Sequence, residues 1–400
     1  MATDNNNKVL NVPNLRFPEF TEVWKDSNIG KCFDLYSGNT PSRMEKKHFI
    51  GDVNWITSGE LKEHYIGDTK ERISEKAAED NNLRILPVGT FVMAIYGLEA
   101  EGVRGTCSIT VKTSTISQAC MAFTPKSNVS NEFLYSWYKK HGNKIGIRYA
   151  QGTKQQNLSY DIIEKFPIRY PSIEEQEKLN TFISLLDKRI ATQNKIIEKL
   201  ESLIKGICNK LLFADNGKPV HLIDILTERT EKTKENNQHE VLSSTVKGIF
   251  SQREYFSKDI ASENNIGYKI IRLYDIVLSP QNLWMGNINY NEKFKVGIVS
   301  PSYKIFSIKA EFDKRFVAFM LKTHRALYNY MLVSEQGASV VRRNLNMEAF
   351  EQLVFKMPPY NKQREIGKTL SLLQTRLELE SKIKLNYEQQ KKHLLTEMFI

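Results

Sequence analysis

Two loops of this sequence combine a glycine with amide and cationic side chains. One reads Gln151-Gly152-Thr153-Lys154-Gln155-Gln156-Asn157, and the other reads Gln336-Gly337-Ala338-Ser339-Val340-Val341-Arg342-Arg343-Asn344. Amide side chains bond bidentately to adenine and arginine bonds to guanine, so such loops have the chemistry to read DNA bases. The same composition is typical of surface loops that end in helix N-caps, here Asn157 and Asn344. Both interpretations stay open, and the candidates for base contacts are Lys154, Gln155, Gln156, Asn157, Arg342, Arg343 and Asn344.

Other loops add single candidates. The segment Ser37-Gly38-Asn39-Thr40-Pro41-Ser42 has the composition of a turn or loop. The further candidates for DNA contacts are Thr40, Ser42, Arg43, Arg104, Gln281 and Trp284. Simple exposure on the protein surface also explains each of these residues without any ligand.

Two segments resemble catalytic motifs but lack a group that the chemistry needs. Met357-Pro358-Pro359-Tyr360 resembles the Asn/Asp-Pro-Pro-Tyr loop of adenine methyltransferases. Methionine lacks the side-chain carbonyl that accepts a hydrogen bond from the target amine. Gly367-Lys368-Thr369 resembles the end of a phosphate-binding loop, but Lys362 stands where that motif needs its first glycine. We interpret the first segment as a proline lead-in to a helix and the second as part of that helix.

Neither histidines nor cysteines have the spacing of a metal site. The seven histidines are scattered, and the four cysteines, Cys32, Cys107, Cys120 and Cys208, include no Cys-x-x-Cys pair. No Ser-His-acid order, carboxylate pair or glycine-rich cofactor loop stands out, so we predict a binding protein without catalytic, cofactor-binding or metal residues. The thiols suit a reducing compartment. No apolar run approaches the ~18 residues of a membrane span, so we expect a cytoplasmic protein with no membrane partner.

Length and charge limit the class of protein. The 400 residues suit two or three domains. Forty per cent hydrophobic and 26% charged residues are ordinary values for a globular protein. Lysine and arginine number 57 against 46 acidic residues, which gives a net charge of +11. This excess favours a polyanionic partner such as a nucleic acid.

A long helix, predicted over 171–213, separates the two glycine-containing loops in the sequence. Ser172 and Glu175 form a capping box at its start, and no glycine or proline interrupts it before Gly206. At ~1.5 Å per residue it spans about 60 Å, so it separates the parts of the chain on either side. Its heptad seam consists of Leu179, Ile183, Leu186, Ile190, Gln193, Ile197 and Leu200, with Gln193 as the polar gap.

The helix and its lead-in occur twice. A shift of 187 positions places 157–213 on 344–400 without a gap, with identities that include Leu158, Pro171, Gln176 and Arg189. The second seam consists of Ile366, Leu370, Leu373, Leu377 and the polar Glu380. The repeat predicts two globular units, each followed by a rod. The predicted parts are a tail at 1–20, a first unit at 21–170, a first helix at 171–213, a second unit at 214–357 and a second helix at 358–400.

The globular units read as short strands between turns. In the first unit we predict strands at Val53–Thr57, Phe91–Ile95 and Ile116–Phe123. An amphipathic helix is predicted over Glu132–Lys140, with Phe133, Leu134, Trp137 and Tyr138 facing the core. The second unit repeats this order of elements, but the two units are less identical to each other than the two rods are. This is expected if both rods have the same role and each unit performs a different version of a second role.

The order of these features resembles the specificity subunit of type I restriction–modification enzymes. The resemblance rests on Leu15-Arg16-Phe17-Pro18-Glu19-Phe20, the Ser37–Ser42 loop, Gln151-Gly152 with Asn157-Leu158, and Pro171 with Glu175-Gln176. A long helix and a second copy of the plan complete it, so that it covers the full length. The second copy departs from the pattern, because Lys362 replaces the glutamate before Gln363 and a Ser-Gly-x-Thr-Pro loop is absent there.

The resemblance implies a mixed α/β fold with two pseudo-symmetric target recognition domains and two long antiparallel helices as a coiled-coil spacer. Each domain would read one half of a bipartite, gapped site in double-stranded DNA. Two methyltransferase subunits and two ATP-dependent translocase–nuclease (restriction) subunits are implied as partners. S-adenosylmethionine, ATP and magnesium are then expected on those partners. The alternative is a coiled-coil assembly scaffold that binds only proteins, which gives no reason for basic globular units.

Antiparallel helices make a specific prediction for the two polar seam positions. Equivalent residues of antiparallel helices face each other only at the middle, and Gln193 lies at the midpoint of 173–213. We therefore expect Gln193 and Glu380 to meet and to fix the register of the seam. The alternative is that both side chains reach solvent.

Overall fold

The computed structural model describes residues 11–152, 156–211, 217–255, 264–336 and 343–400. The chain forms two compact units. Unit 1 contains the described residues up to Gln193 together with Ile383–Ile400, and unit 2 consists of Asn194–Lys382. Each long helix therefore contributes one part of its length to each unit.

Unit 1 is a mixed α/β unit built on a mainly antiparallel sheet with one parallel strand pair. Its strands are β1 Lys25–Asn28, β2 Phe33–Ser37, β3 Val53–Ile56, β4 Tyr65–Ile66, β5 Arg72–Ile73, β6 Phe91–Ala94, β7 Cys107–Thr110, β8 Ser114–Ile116, β9 Cys120–Pro125 and β10 Pro167–Tyr170. Its helices are α1 Ile29–Cys32, α2 Glu75–Asp80, α3 Asn131–Tyr149, α4 Tyr160–Ile163 and the first part of α5 Ile173–Leu211. The main sheet has the order β2-β9-β6-β7-β4, with smaller sheets β5-β3-β8 and β1-β10.

Helix α3 forms the core of unit 1 with this sheet. It begins after Ser130, whose hydroxyl accepts a hydrogen bond from the Phe133 amide at 3.1 Å. The predicted inward face is confirmed, since Phe133, Leu134, Trp137 and Tyr138 are all buried. The helix runs nine residues beyond the predicted end at Lys140. Packing of residues beyond that end, such as the buried Ile145, stabilises the additional length.

Unit 2 repeats the plan with shorter helices. Its strands are β11 Lys218–His221, β12 Leu226–Arg229, β13 Leu242–Thr245, β14 Gly248–Ser251, β15 Lys269–Arg272, β16 Ile276–Leu278, β17 Ile288–Tyr290, β18 Val296–Val299, β19 Lys304–Ile308, β20 Ser334–Gln336, β21 Arg343–Leu345 and β22 Val354–Met357. Its helices are α6 Leu222–Ile225, α7 Gln252–Tyr255, α8 Lys314–Leu321, α9 His324–Leu332, α10 Met347–Glu351 and part of α11 Tyr360–Met398. The main sheet, β12-β19-β16-β17, has the order of β2-β9-β6-β7 in unit 1.

The repeat is visible in single hydrogen bonds. Gln176 is fully buried, and its side chain accepts from the Ser130 amide at 2.9 Å and donates to the Asn128 carbonyl at 2.7 Å. In unit 2, Gln363 accepts from the Asp313 amide at 3.0 Å and donates to the Pro358 carbonyl at 2.8 Å. Each glutamine thus fixes the start of a long helix to the residue that caps α3 or α8.

The two long helices run antiparallel where they meet in unit 1, and both also contribute to the core of unit 2. In unit 1, Asp187 pairs with Lys391, and Arg189 lies over the ring of Tyr387, so the numbering runs in opposite directions. In unit 2, Ile204 and Ile207 pack against the core that contains Ile366 and Leu370. The predicted fold class, mixed α/β with two repeated domains and long spacer helices, is confirmed.

Burial follows the predicted seam. The seam residues Leu179, Ile183, Leu186, Ile366 and Leu370 are buried, and Ile190, Ile197, Leu200, Leu373 and Leu377 are half-buried. Gln193 is 6% exposed and Glu380 is 3% exposed. The interpretation that both polar side chains reach solvent is therefore wrong. The Gln193–Glu380 contact joins residues of different units and stays a prediction.

Two local predictions are wrong. The segment predicted as one strand at Ile116–Phe123 forms β8 and β9, because a turn closed by the Cys120 amide on the Ser117 carbonyl at 3.0 Å divides it. The capping box of α5 is only half formed. The Ser172 hydroxyl accepts from the Glu175 amide at 3.4 Å, but the Glu175 carboxylate binds Arg16 at 2.8 and 2.7 Å. A charge-assisted bidentate pair is stronger than a bond to a single backbone amide.

Candidate nucleic-acid interface

Arg104 and Gln156 meet in unit 1, although 52 positions separate them. Arg104 lies in the loop between β6 and β7, and its Nη2 donates to Gln156 Oε1 at 2.7 Å. Gln156 lies in the segment before α4, and its backbone amide donates to the Glu99 carboxylate at 2.8 Å. This bond lowers the pKa of Glu99. Asn157 joins the group, since its Oδ1 accepts from the Gly97 amide at 3.3 Å. We call Arg104, Gln156 and Asn157 surface 1.

Glycines allow this loop to approach α3. Gly105 has φ +72°, and a Cβ on it would lie 2.9 Å from the Asn143 backbone nitrogen. A Cβ on Gly146 would lie 2.6 Å from Arg104 Cγ, so glycine there leaves room for the arginine stem. The Arg104 Nε is buried and has no hydrogen-bond partner in the described part of the chain. Arginine and amide side chains bind base edges, and the Arg104–Gln156 bond holds one of each together.

Gln281, Trp284 and Arg343 meet in unit 2. The guanidinium of Arg343 lies over the indole ring of Trp284, 4.9 Å from its centroid. The Arg343 amide donates to the Gln281 carbonyl at 3.2 Å. Trp284 belongs to a 3-10 turn, Leu283–Met285, which ends at Gly286 with φ +95°. We call Gln281, Trp284 and Arg343 surface 2.

A cation over the face of an aromatic ring is attracted to it, which restrains the position of the cation. Arg343 is further oriented by β21, which pairs it with Gln336 of β20. The Trp284 Nε1 is buried and has no hydrogen-bond partner among the described residues. Surface 2 therefore presents a guanidinium that is oriented by the indole ring. Sequence could not reveal this pairing, because 59 positions separate the two residues.

Both surfaces occupy the same place in the topology. In each unit the loop that leaves β6 or β16 meets the segment that precedes α4 or α10. This agrees with the prediction that the two glycine-containing loops are equivalent. The alternative role of Asn157 and Asn344 as helix N-caps is wrong, because the caps are Ser159 and Asn346, two residues later. Asn344 instead lies in β21, opposite Glu335.

The remaining predicted residues are not part of these surfaces in the described contacts. Arg43 forms a bidentate pair with Glu71 and lies 4.5 Å from the ring centroid of Phe49. The bond to Glu71 raises the pKa of Arg43. The Thr40 amide donates to Asn39 Oδ1 at 2.8 Å, and Ser42 Oγ accepts from the Met44 amide at 3.4 Å. The predicted residues Lys154, Gln155 and Arg342 lie outside the described residues.

The sequence analysis did not predict two carboxylates that bind candidate residues. Glu71 holds Arg43, and Glu99 holds the backbone of Gln156. Neither glutamate lies in a recognisable motif, and only the folded chain brings them to their partners. Within the described ranges no group of three or more His, Cys, Asp or Glu side chains could hold a metal ion. None of the described helices is long and apolar enough to cross a membrane.

Comparison with known families decides the family of this chain. The model of the type I restriction modification DNA specificity domain matches residues 21–202 and again 222–389. The chain belongs to this family. The match occurs twice and covers most of the sequence, in agreement with the internal repeat. The predicted resemblance to type I specificity subunits is thus confirmed.

Two curated relatives of this type I specificity-domain protein come from Methanocaldococcus jannaschii. The type I restriction enzyme MjaIX specificity subunit is 31% identical over 192 residues, and the MjaVIII specificity subunit is 23% identical over 198 residues. The matches cover 46% and 49% of this chain and 43% of each relative. The chain therefore matches less than half the length of these relatives. Both relatives are named as specificity subunits, in agreement with the resemblance that the sequence predicts.

Solved structures show the same fold. The S subunit of a type I restriction–modification system from M. genitalium has a TM-score of 0.62 at 15% identity. The alignment covers 97% of this chain and 99% of that one. A chain from a structural study of the assembly and conformational transition of the type I R-M system has a TM-score of 0.53 at 12% identity, with coverages of 94% and 97%. The type I specificity fold therefore extends over nearly the whole protein.

Proposed function

We propose that this chain is the sequence-specific DNA-binding subunit of a type I restriction–modification enzyme and that it reads a bipartite, gapped site. The observation that carries the proposal is the presence of one polar and cationic surface in each unit, at the same topological position. Surface 1 offers an arginine and an amide, and surface 2 offers an arginine on an indole ring. Family membership supplies the context in which these surfaces meet DNA.

Each unit contacts its own half-site in this proposal. Base-edge contacts from arginine and amide side chains carry sequence information, whereas lysine contacts to phosphates position the protein. Two linked half-sites also raise the overall affinity, because the second binding event becomes intramolecular. The spacer helices set the unread gap between the half-sites.

The partners follow from the same proposal. Two methyltransferase subunits carry S-adenosylmethionine and the adenine chemistry, and two translocase–nuclease subunits carry ATP and magnesium. This chain positions them on the site and contributes no catalytic group. The complex acts on double-stranded DNA in the cytoplasm.

Duplex binding at several salt concentrations tests the proposal. We expect the purified chain, with its methyltransferase partner, to bind a duplex that contains its site far more tightly than a scrambled duplex. We also expect log K to fall steeply and linearly with log salt, because lysine and arginine release counterions from the phosphates. Equal binding of both duplexes, or no binding at low salt, would favour a scaffold that binds only proteins.

A further inference from the structure

A concave site in unit 2 is lined by residues other than those of surface 2. This pocket has a volume of about 340 Å³ and lies between the β13–β14 hairpin, β17 and α8. Three lysines from three separate segments line it, namely Lys247, Lys293 and Lys322, with Glu292 as the single carboxylate. Positive charge concentrated in a concave site attracts an anion.

A buried amide fixes one of these lysines. Lys322 Nζ donates to Asn289 Oδ1 at 2.6 Å. Asn289 is only 3% exposed, and its Nδ2 donates to Ser244 Oγ at 2.7 Å and to the Thr245 carbonyl at 2.8 Å. Every polar atom of that amide is therefore engaged. These hydrogen bonds hold Asn289 in place, so the Lys322 ammonium group that it accepts from has a defined position in the pocket.

Lys322 does not pair with Glu292, the carboxylate that lines the same pocket. The side chain as a whole is exposed, but its ammonium group lies among the atoms of the pocket, and this burial lowers the pKa of Lys322. In the part of the chain that the structure describes, Lys322 forms no ion pair. Lys304, by contrast, pairs with Glu228 at 2.7 Å. A partly desolvated cation with only a neutral acceptor is stabilised when an anion binds.

We propose that this pocket binds a phosphate group. Three lysines line this one pocket, and lysine is a common phosphate ligand that acts as a point charge. The phosphate belongs either to the DNA backbone or to a small phosphate compound. Binding of the DNA backbone rests on the proposed function, whereas binding of a small phosphate compound does not.

The position of the pocket favours the DNA backbone. Strand β17 leads from Asn287, next to surface 2, to Tyr290 and Lys293 at the pocket. Its three residues span ~10 Å, about three base-pair steps of 3.4 Å. The β13–β14 turn links the two places, since it contributes Lys247 to the pocket and places Val246 Cγ1 3.9 Å from a Cβ built on Gly286. A phosphate held here fixes the register of the bases that face surface 2.

The first arm of the test measures duplex binding by the full chain against salt concentration. Lys322→Ala should lower the slope of log K against log salt by about one and weaken matching and scrambled duplexes by the same factor. The double variant Lys247→Ala/Lys293→Ala leaves the Lys322–Asn289 bond intact and should also lower the slope. Lys234→Ala, an exposed lysine outside the pocket, is the matched control and should leave the slope unchanged.

The second arm uses inorganic phosphate without DNA. Phosphate should raise the Tm of the wild-type chain relative to chloride at equal ionic strength, and both pocket variants should lose this increase. Loss of the increase with an unchanged DNA slope would assign the pocket to a small phosphate compound. A reduced DNA slope would assign it to the backbone.

Pocket variants that keep both the full salt slope and the full phosphate effect would overturn the proposal. A wild-type chain that binds no DNA would contradict the proposed function alone, because the phosphate arm would still decide the pocket. Far-ultraviolet circular dichroism of each variant separates loss of binding from loss of folding.

Discussion

Gln156 and Arg343 occupy the same place in the two units, 187 positions apart, and each touches the loop that leaves the sixth strand or its counterpart. Gln156 accepts from Arg104 at 2.7 Å, and Arg343 lies 4.9 Å from the ring centroid of Trp284. An amide in one unit and a guanidinium in the other, in the same topological position, present different hydrogen-bonding patterns to DNA. The two units therefore share a topology and differ in the side chains that occupy equivalent positions.

Arg343→Ala should relax one position of one half-site. Loss of a bidentate contact to a base costs about 1–3 kcal/mol, and other positions should keep their preference. Competition binding with a panel of single-base variants of the site measures this. Arg364→Ala, an exposed arginine on α11, is the matched control. Equal weakening of every sequence would show that Arg343 contacts phosphate instead.

Arg104 and Gln156 should act as a coupled pair. Each single alanine variant breaks the same hydrogen bond, so the double variant should lose less DNA affinity than the two single losses together. Residues in one hydrogen-bond network have interaction energies of about 0.5–3 kcal/mol. A double-mutant cycle on duplex binding gives this number. Strictly additive losses would mean that the contact has no part in recognition.

Gln176→Ala should destabilise unit 1. The Gln176 side chain is 0% exposed and satisfies the Ser130 amide and the Asn128 carbonyl. A buried backbone group left without a partner costs about 1–3 kcal/mol. Urea unfolding monitored by circular dichroism measures the change. Gln389→Ala, on the exposed side of α11, should change the free energy of unfolding by less than about 0.5 kcal/mol.

His64 should make the stability of unit 1 depend on pH. Its ring stacks between Tyr65 and Tyr135, with centroids 4.1 and 3.8 Å away. Burial alone lowers the pKa of His64, but its bonds to Asp187 and Glu132 outweigh burial and raise the pKa above 6.5. The third charged group at this site is Lys391, which pairs with Asp187.

The raised pKa gives the pH dependence its sign. Protonated His64 stabilises the folded state fully below the unfolded-state value of 6.5, and this stabilisation is lost as pH rises from there through the folded-state pKa. His64→Gln should remove that decline in the free energy of unfolding, as urea titrations at several pH values would show. His393→Gln, an exposed control, should keep it. An unchanged decline in His64→Gln would assign the effect to another group.

The sequence predicted the features that repeat or extend over many residues. The seam of α5 and α11, the inward face of α3 and the equivalence of the Gln156 and Arg343 loops all follow from periodicity or from the 187-residue shift. The loop pairings did not follow, because Arg43–Glu71 and Arg343–Trp284 depend on side chains that are distant in sequence. The N-caps were misplaced by two residues, because Asn157 and Ser159 are both good capping residues and local preference does not choose between them.

Replacement of residues 21–170 by the same region of a relative tests the central claim most directly. Methylated adenines are mapped across the genome of a cell that carries the chain with its methyltransferase partner, before and after the exchange. We predict a bipartite motif with a fixed gap in both cases, in which the exchange changes one half and leaves the other half and the gap unchanged. Methylation of a single continuous motif, or a change in both halves, would contradict the assignment of one half-site to each unit.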